Sequence, residues 1–366
     1  MTSKGLHIAG GAGVIGVDVG DRWMIASQLV SRGHGRAAMG ASVRLPRTAT
    51  GALTAQEATL LGQTIAHAGF TGSRIALVAP DAALLPAVLE LPPRTSKAPI
   101  EQLARIEVAR IHRREPDGFD LATWDLPATD RTRGVTHAMA LALPTDAGDV
   151  AATAFDVTGA DVVAIEPRAC ALARCGAAAS GGVPGLYGVV DVGWSATTLV
   201  LVHVTGDTPA SVVYERRMQE VQLGGCIERL RQAIGVDTDV AEAAMRRSEE
   251  EMCEAKLAEL YRTIRRFQTE LSDALVPEVQ RSFVYAMQRY PAIPMAGVWL
   301  TGEGACVRGV RARLSSALAL DVALMTPATV TQVDERSPLA RDAMLMTSLG
   351  LAAFAEAGAR QERRAA

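Results

Sequence analysis

Nowhere does the sequence offer a run of about 18 apolar residues, the length a helix needs to cross a bilayer, so no direct membrane span is expected. The N-terminus carries one cation, Lys4, with no long apolar stretch behind it, which argues against a secretory signal. Five cysteines, Cys170, Cys175, Cys226, Cys253 and Cys306, form no CxxC pair, and reduced thiols in the cytoplasm are the simplest expectation. The histidines at 7, 34, 67, 112, 137 and 203 show no HxxxH spacing, which leaves no basis for a zinc site. A GxSxG elbow and a Walker lysine loop are both missing. An excess of charge is missing too: 37 basic residues face 40 acidic ones, a net charge of -3, and nucleic acid is not an expected partner.

What remains is ordinary globular composition, 49% apolar and 21% charged, in a chain of 366 residues long enough for two or three domains. The first clear strand is Val14-Ile15-Gly16-Val17-Asp18-Val19-Gly20, a β-branched run closing on Asp-x-Gly, with a return arm from Trp23. Apolar residues at helical spacing predict a helix over Thr54–Gly69, and a buried strand follows at Ile75–Ala79.

Residues 84–158 read as a small α/β insert. Leu84–Leu91 is a strand stopped by Pro92-Pro93, Ile100–Ile111 a helix, Phe119–Leu126 and Val135–Leu143 two strands, and Asp149–Val157 a short helix. The opening signal then returns about 170 residues later as Gly188-Val189-Val190-Asp191-Val192-Gly193, followed by Thr197–Val202. Two such hairpins predict two related halves. Gly224-Gly225 opens a helix over Cys226–Ile234, and Ala241–Ala274 reads as one long helical region. Glu249, Glu250, Glu251, Glu254, Arg262, Arg265 and Arg266 are expected on its solvated face. A strand at Val298–Leu300 enters Thr301-Gly302-Glu303-Gly304, a helix covers Val310–Leu318, an apolar helix covers Ala340–Ala355, and the tail Arg360–Arg364 is expected to fray.

A strand ending in Asp-x-Gly presents a carboxylate and free N–H groups at one tip. Glycine admits close approach of a ligand, consecutive N–H groups suit an anion, and the carboxylate suits Mg²⁺ through water. Two facing hairpins can grip a triphosphate from both sides. Gly302-x-Gly304, between strand and helix, adds a third anion-tolerant turn.

The series Val17-Asp18-Val19-Gly20, Val190-Asp191-Val192-Gly193, Gly224-Gly225 and Leu300-Thr301-Gly302-Glu303-Gly304 resembles the two phosphate loops and the adenosine loop of the actin and sugar-kinase superfamily. Within it the sequence resembles the PilM family of type IV pilus assembly proteins, relatives of the cell-division protein FtsA, over residues 14 to 355. Leu89-Glu90-Leu91-Pro92, the helix after it and Thr158–Glu166 resemble that family's 1C insert and its return to domain 1A.

The resemblance implies a duplicated actin-like (ribonuclease H-like) α/β fold with a cleft between two halves. Domain 1A is expected over 1–83, 159–186 and 331–366, the 1C insert over 84–158, domain 2A over 187–220 and 295–330, and domain 2B over 221–294. It implies ATP in the cleft, Mg²⁺ organised by Asp18 and Asp191, phosphates held around Gly20, Gly193 and Thr197, and ribose and adenine bordered by Gly224, Gly225, Gly302 and Gly304. Glu166 is a candidate for orienting a water, and its position before Pro167 equally suits the start of a helix. Any enzymatic role is expected to be a weak ATPase at most.

The sequence departs from the pattern in three places. Asp21, Arg22 and Trp23 stand where small hydroxyl residues are usual, with Ile25 in place of a lysine; Glu303 replaces a glycine; and Trp194 replaces a small residue. Asp21 would repel a polyanion, and Arg22 could offset it.

The function implied is that of a cytoplasmic adaptor, peripheral at the inner membrane, holding the N-terminal tail of a PilN-like membrane protein in a groove between 1A and 1C. Pilus motor ATPases and further copies of the chain are possible partners. Three alternatives belong to the same superfamily: a small-molecule kinase, a nucleotide-free secretion scaffold like GspL, and an FtsA-like polymer. The kinase lacks a recognisable general base. The polymer lacks an anchor, because Ala357–Ala366 contains no Leu, Phe or Trp.

Overall fold

The structure is a computed structural model that describes residues 6, 12–31, 36–129, 134–206, 209–247 and 257–354. Lys4, His7, His34, Cys253, the acidic cluster Glu249, Glu250, Glu251 and Glu254, and the tail Arg360–Arg364 lie outside the described residues.

In chain order, the first lobe begins with β1 (Ala12–Val19), β2 (Trp23–Val30), β3 (Ala38–Pro46), α1 (Ala55–His67) and β4 (Arg74–Val78). An insert follows with β5 (Leu85–Leu91), α2 (Ile100–His112), β6 (Phe119–Asp125), β7 (Thr136–Pro144), α3 (Thr145–Thr153) and a 3-10 turn at Asp156–Thr158. The chain returns through β8 (Asp161–Glu166) and α4 (Arg168–Ala179). The second lobe holds β9 (Gly185–Val192), β10 (Thr197–Val204), β11 (Ser211–Met218), α5 (Leu223–Ile234), α6 (Thr238–Arg246), α7 (Ala258–Arg289), β12 (Met295–Thr301), α8 (Val310–Leu318) and β13 (Val322–Leu324). Then come α9 (Pro327–Val330) and α10 (Met346–Ala352).

The two large sheets have one topology used twice. Their strand orders are β3-β2-β1-β4-β8 and β11-β10-β9-β12-β13. In each, the first three strands in sequence pair antiparallel and the last two join parallel. The duplication expected from the repeated Val-Asp-Val-Gly turns is present as this repeated order.

Between the sheets lie two helices. α10 packs on β1 and β2, α4 packs on β9, β10 and β11, and the two helices pack on each other. Small residues permit this close approach. A Cβ added at Gly16 of β1 would fall 2.0 Å from the Ser348 carbonyl oxygen of α10, and one at Gly350 would fall 2.2 Å from that of Ala171 in α4. The outer face of the first sheet is covered by Leu61 and Ile65 of α1, and that of the second by the long apolar stripe of α7 through Leu275, Val279 and Phe283.

α7 runs on through Pro277, well past the expected end at Ala274. Proline removes one intrahelical hydrogen bond. Continued burial of the stripe outweighs it, and Phe283 fits over Gly188, where a Cβ would lie 2.5 Å from its ring. α6 ends at Arg246, separate from α7, so the expected Ala241–Ala274 region is two helices. The helix expected over Asp149–Val157 is α3, displaced to Thr145–Thr153 with Pro144 at its N-cap. The last helix is shorter than expected, preceded by 3-10 turns at Pro338–Arg341 and Ala343–Leu345.

The insert is an antiparallel sheet in the order β5-β7-β6, with α2 closing one side. It leans on the second lobe: Trp124 of β6 donates its indole N–H to the Val212 carbonyl oxygen at 2.6 Å, and Leu126 and Met139 join that lobe's core.

Candidate functional site

Strand alternation aims the two aspartates at the same place. In β1, Ile15 and Val17 face α1, so Val14, Gly16 and Asp18 face inward. In β9, Val190 and Val192 join the outer core, while Tyr187 and Val189 face α4 and set the direction of Asp191. Each strand then turns through a matched hairpin, Gly20 N–H to the Trp23 carbonyl at 2.9 Å and Gly193 N–H to the Ala196 carbonyl at 3.1 Å. Between the hairpins lies a cavity of about 510 Å³, lined by Asp18, Gly20, Asp191, Gly193 and Gly302 among the expected residues.

The centre of this cavity is organised by a residue that sequence reasoning missed. Arg168, the first residue of α4, donates to both carboxylate oxygens of Asp18 at 2.8 and 2.9 Å. Its Nε donates to Asp81 at 3.2 Å, its Nη1 donates to the Thr347 hydroxyl at 3.0 Å, and Nη1 stands 3.8 Å from Asp191 Oδ2. Its side chain is 13% exposed, so the pairing is largely out of water. The only sequence signal was a cation placed directly after Pro167 at a helix start.

A second arginine closes the outer edge. Arg22 reaches from the first hairpin to carboxylates of the other lobe, Glu242 at 2.8 Å and Glu303 at 3.3 Å. Its guanidinium carbon lies 4.3 Å from the Trp194 ring centroid and 5.0 Å from that of Trp23. The departures from the family pattern noted at Arg22, Trp23, Trp194 and Glu303 therefore meet in one cluster. Arg22 is engaged there rather than offsetting Asp21.

The electrostatics are acidic. Asp18, Asp21, Asp81, Asp146, Asp191 and Glu303 line the cavity against Arg22, Arg168 and Arg217. Burial pushes Asp191 up to about 6, with Arg168 opposing. Burial likewise pushes Glu303 up to about 7, with Arg22 opposing, and Glu215 of β11 up to about 7.

Other expected residues stand elsewhere. Thr197 is fully buried and donates its hydroxyl to the Val221 carbonyl at 2.8 Å, whereas its neighbour Thr198 lines the cavity. Gly224 makes room for Trp194, whose indole would lie 2.7 Å from an added Cβ; neither Gly224 nor Gly225 lines the cavity. Gly304 packs on Val192, and Gly302, at φ 85°, brings its backbone against Asp191. Glu166 pairs with Arg174 at 2.5 Å, and Arg174 also donates to the Gly350 carbonyl, so this ion pair ties α4 to α10 outside the cavity lining.

Mg²⁺ takes oxygen ligands at about 2.0–2.1 Å in near-octahedral geometry and keeps several waters. Both oxygens of Asp18 already accept from a guanidinium that also faces Asp191. As arranged, this donor set does not fit the ion. Among the described residues, no group of three or more His, Cys, Asp or Glu side chains is placed to hold a metal. Cys175 sits on α4 among apolar side chains, whereas Cys170 is half-buried near Glu166 and Arg174; burial raises both thiols, Cys175 to about 12. Among the described residues, no helix is long and apolar enough to cross a membrane.

Neither a protein-family model nor a curated protein matches this sequence. Among solved structures the chain is similar to one described as the PilM-PilN type IV pilus biogenesis complex, with TM-score 0.72 and 19% identity, over 94% of this chain and 98% of that one. It is also similar to the ethanolamine utilization protein EutJ from Carboxydothermus hydrogenoformans, with TM-score 0.50 and 13% identity, over 95% of this chain and 92% of that one. A third similar structure is the diol dehydratase-reactivating factor in nucleotide-free form, with TM-score 0.53 and 10% identity, over 93% of this chain and 99% of that one. Two sheets of identical order around a shared helix pair, with the cleft at the ends of their central strands, give this chain an actin-like α/β fold.

Proposed function

We propose that this chain is a cytoplasmic adaptor of type IV pilus assembly that holds the N-terminal tail of a PilN-like inner-membrane protein. The observation that carries the reading is the likeness to the PilM-PilN complex structure, which spans 94% of this chain and 98% of that one. So little of the chain is left unmatched that most of the insert is included along with both lobes. The adaptor sits at the inner membrane through its partner.

The tail is proposed to dock where the insert meets the first lobe. There α1 packs against the turn Asp156–Thr158, with Gly62 under Thr158. Leu60, Val157 and, on α3, Val150 are exposed apolar side chains on these elements, at 45%, 62% and 56%. β5 pairs only with β7 among the described residues, so its other edge is available to an extended peptide.

ATP in the cleft is a separate part of the reading. The volume of about 510 Å³ falls within the usual range for small-molecule sites, and Trp23 and Trp194 offer aromatic walls. A triphosphate entering there meets more carboxylates than guanidiniums, and Arg168 must re-pair to receive it.

The test is fluorescence anisotropy of a labelled N-terminal peptide from the same organism's PilN-like protein, titrated with the full chain, with and without Mg-ATP. Saturable binding that Leu60→Glu or Val157→Asp weakens at least about tenfold, at unchanged melting temperature, supports the adaptor and its groove. No binding in either condition overturns it.

A further inference from the structure

We propose that Arg168 is the resident cation of the cleft, holding Asp18, Asp81 and Asp191 together across the lobes in place of a divalent metal. The inference rests on the geometry of the cleft and stands whether or not the tail-binding reading holds.

Three carboxylates converge here from separate elements: Asp18 is next to last in β1, Asp81 follows β4, and Asp191 is next to last in β9 of the other lobe. Gathered without a cation, they would repel one another in a poorly solvated space. The guanidinium answers all three with its planar fork. It makes a bidentate pair with Asp18, an Nε bond to Asp81, and a 3.8 Å approach to Asp191. The Thr347 hydroxyl takes one further donor at 3.0 Å.

The surroundings hold these groups in place. Arg168 opens α4, whose body is packed between α10 and the second sheet. Asp191 is pressed by the backbone of Gly302, where a Cβ would lie 2.2 Å from its Oδ1. The backbone that carries each group is therefore fixed by a central element of the fold. The side chain therefore links the lobes and also covers the carboxylate oxygens that a metal would need. A nucleotide–metal complex is not required to join the halves.

The proposal predicts a gain of function. Mn²⁺ is titrated into the full-length protein and its free form followed by electron paramagnetic resonance. The wild type is expected to hold no saturable ion. Arg168→Gln, which leaves Asp18 and Asp191 without their counter-ion and Asp81 with Arg217 alone at 3.8 Å, is expected to gain one site at least about tenfold tighter than any wild-type binding, and Asp18→Asn added to it abolishes that site. Arg168→Lys, which keeps a charge in the cleft, gains none. A wild-type site as tight as the variant's, or a folded Arg168→Gln that gains none, overturns the proposal. Should Arg168→Gln fail to fold, wild-type melting decides. Equal melting temperatures in Mg²⁺ and in EDTA agree with an internal cation, and a rise in Mg²⁺ that Asp18→Asn removes overturns it. Loss of tail-peptide binding moves none of these readouts, so the two readings fail separately.

Discussion

The guanidinium of Arg22, on the hairpin of the first lobe, lies 4.3 Å from the indole centroid of Trp194, on the matching hairpin of the second. The same side chain bonds Glu242 at 2.8 Å and Glu303 at 3.3 Å, so one residue closes the outer edge of the cleft by stacking and by charge. Arg22→Ala leaves the partly buried Glu303 without its cation, leaves Glu242 to Arg246 alone, and uncovers the indole. The expected cost is about 2–4 kcal/mol in urea unfolding, with tryptophan emission shifted to the red. Arg22→Lys recovers only part of it, because an ammonium cannot stack and pair in the same plane.

Glu303 sets a pH dependence on the same cluster. Burial raises its folded pKa to about 7 from an ordinary 4.5, against the pull of Arg22. A carboxyl raised on folding contributes stability that is present below its unfolded pKa and is lost as pH rises through the folded value. Glu303 therefore stabilises the fold in mild acid and gives this up between about pH 4.5 and 7. Carbon-13 NMR of the glutamate carboxyls should show two resonances with midpoints near 7, from Glu215 and Glu303, of which one disappears in Glu303→Gln. Every glutamate resonance titrating below 5 would overturn the assignment.

Glu57 has the opposite sign. It closes a capping box with Thr54 at the start of α1 and accepts from Arg47 at 2.9 Å, both side chains being 2% exposed. These partners outweigh burial and hold it down at about 2. Its contribution is present above pH 4.5 and lost as pH falls toward 2. Arg47 also donates to the Gly20 carbonyl at 2.8 Å, so the pair supports the first hairpin. Glu57→Ala should cost about 3–5 kcal/mol at neutral pH by urea denaturation and flatten the acid limb of the stability profile.

Gly302→Ala should be costly for two independent reasons. Its φ of 85° with extended ψ is open essentially to glycine alone, and a Cβ would meet Asp191 Oδ1 at 2.2 Å. A loss of about 2–4 kcal/mol is expected, read by thermal and urea melts. Gly309→Ala, at φ 84° but with open space around it, should lose only the backbone part, about 1 kcal/mol.

The elements that could be read locally are those whose signal is local. β1 and β9 announce themselves as β-branched runs closing on Asp-x-Gly, and the helices α1 and α2 by apolar spacing and caps. β3, β11 and β13 carry weaker signals. β11 carries Glu215, Arg216 and Arg217, which interrupt its apolar run, and β13 is three residues long. α3 starts at Thr145 because Pro144 ends β7 and fixes the turn into the helix, and fully buried Phe155, beyond the end of α3, extends the apolar pattern past the helix itself.

The duplication, the two aspartates and the turns that place them are legible in the order of the residues, because alternation along a strand and glycine at a tight turn are nearest-neighbour effects. What those aspartates face follows from the packing of distant elements. Arg168 is 150 residues from Asp18 and looks, in sequence, like any cation after a proline. It becomes the centre of the cleft because α4 is trapped between two sheets and its first turn opens onto both central strands. Charge pairing at that distance is set by how the chain closes on itself, which no local pattern records.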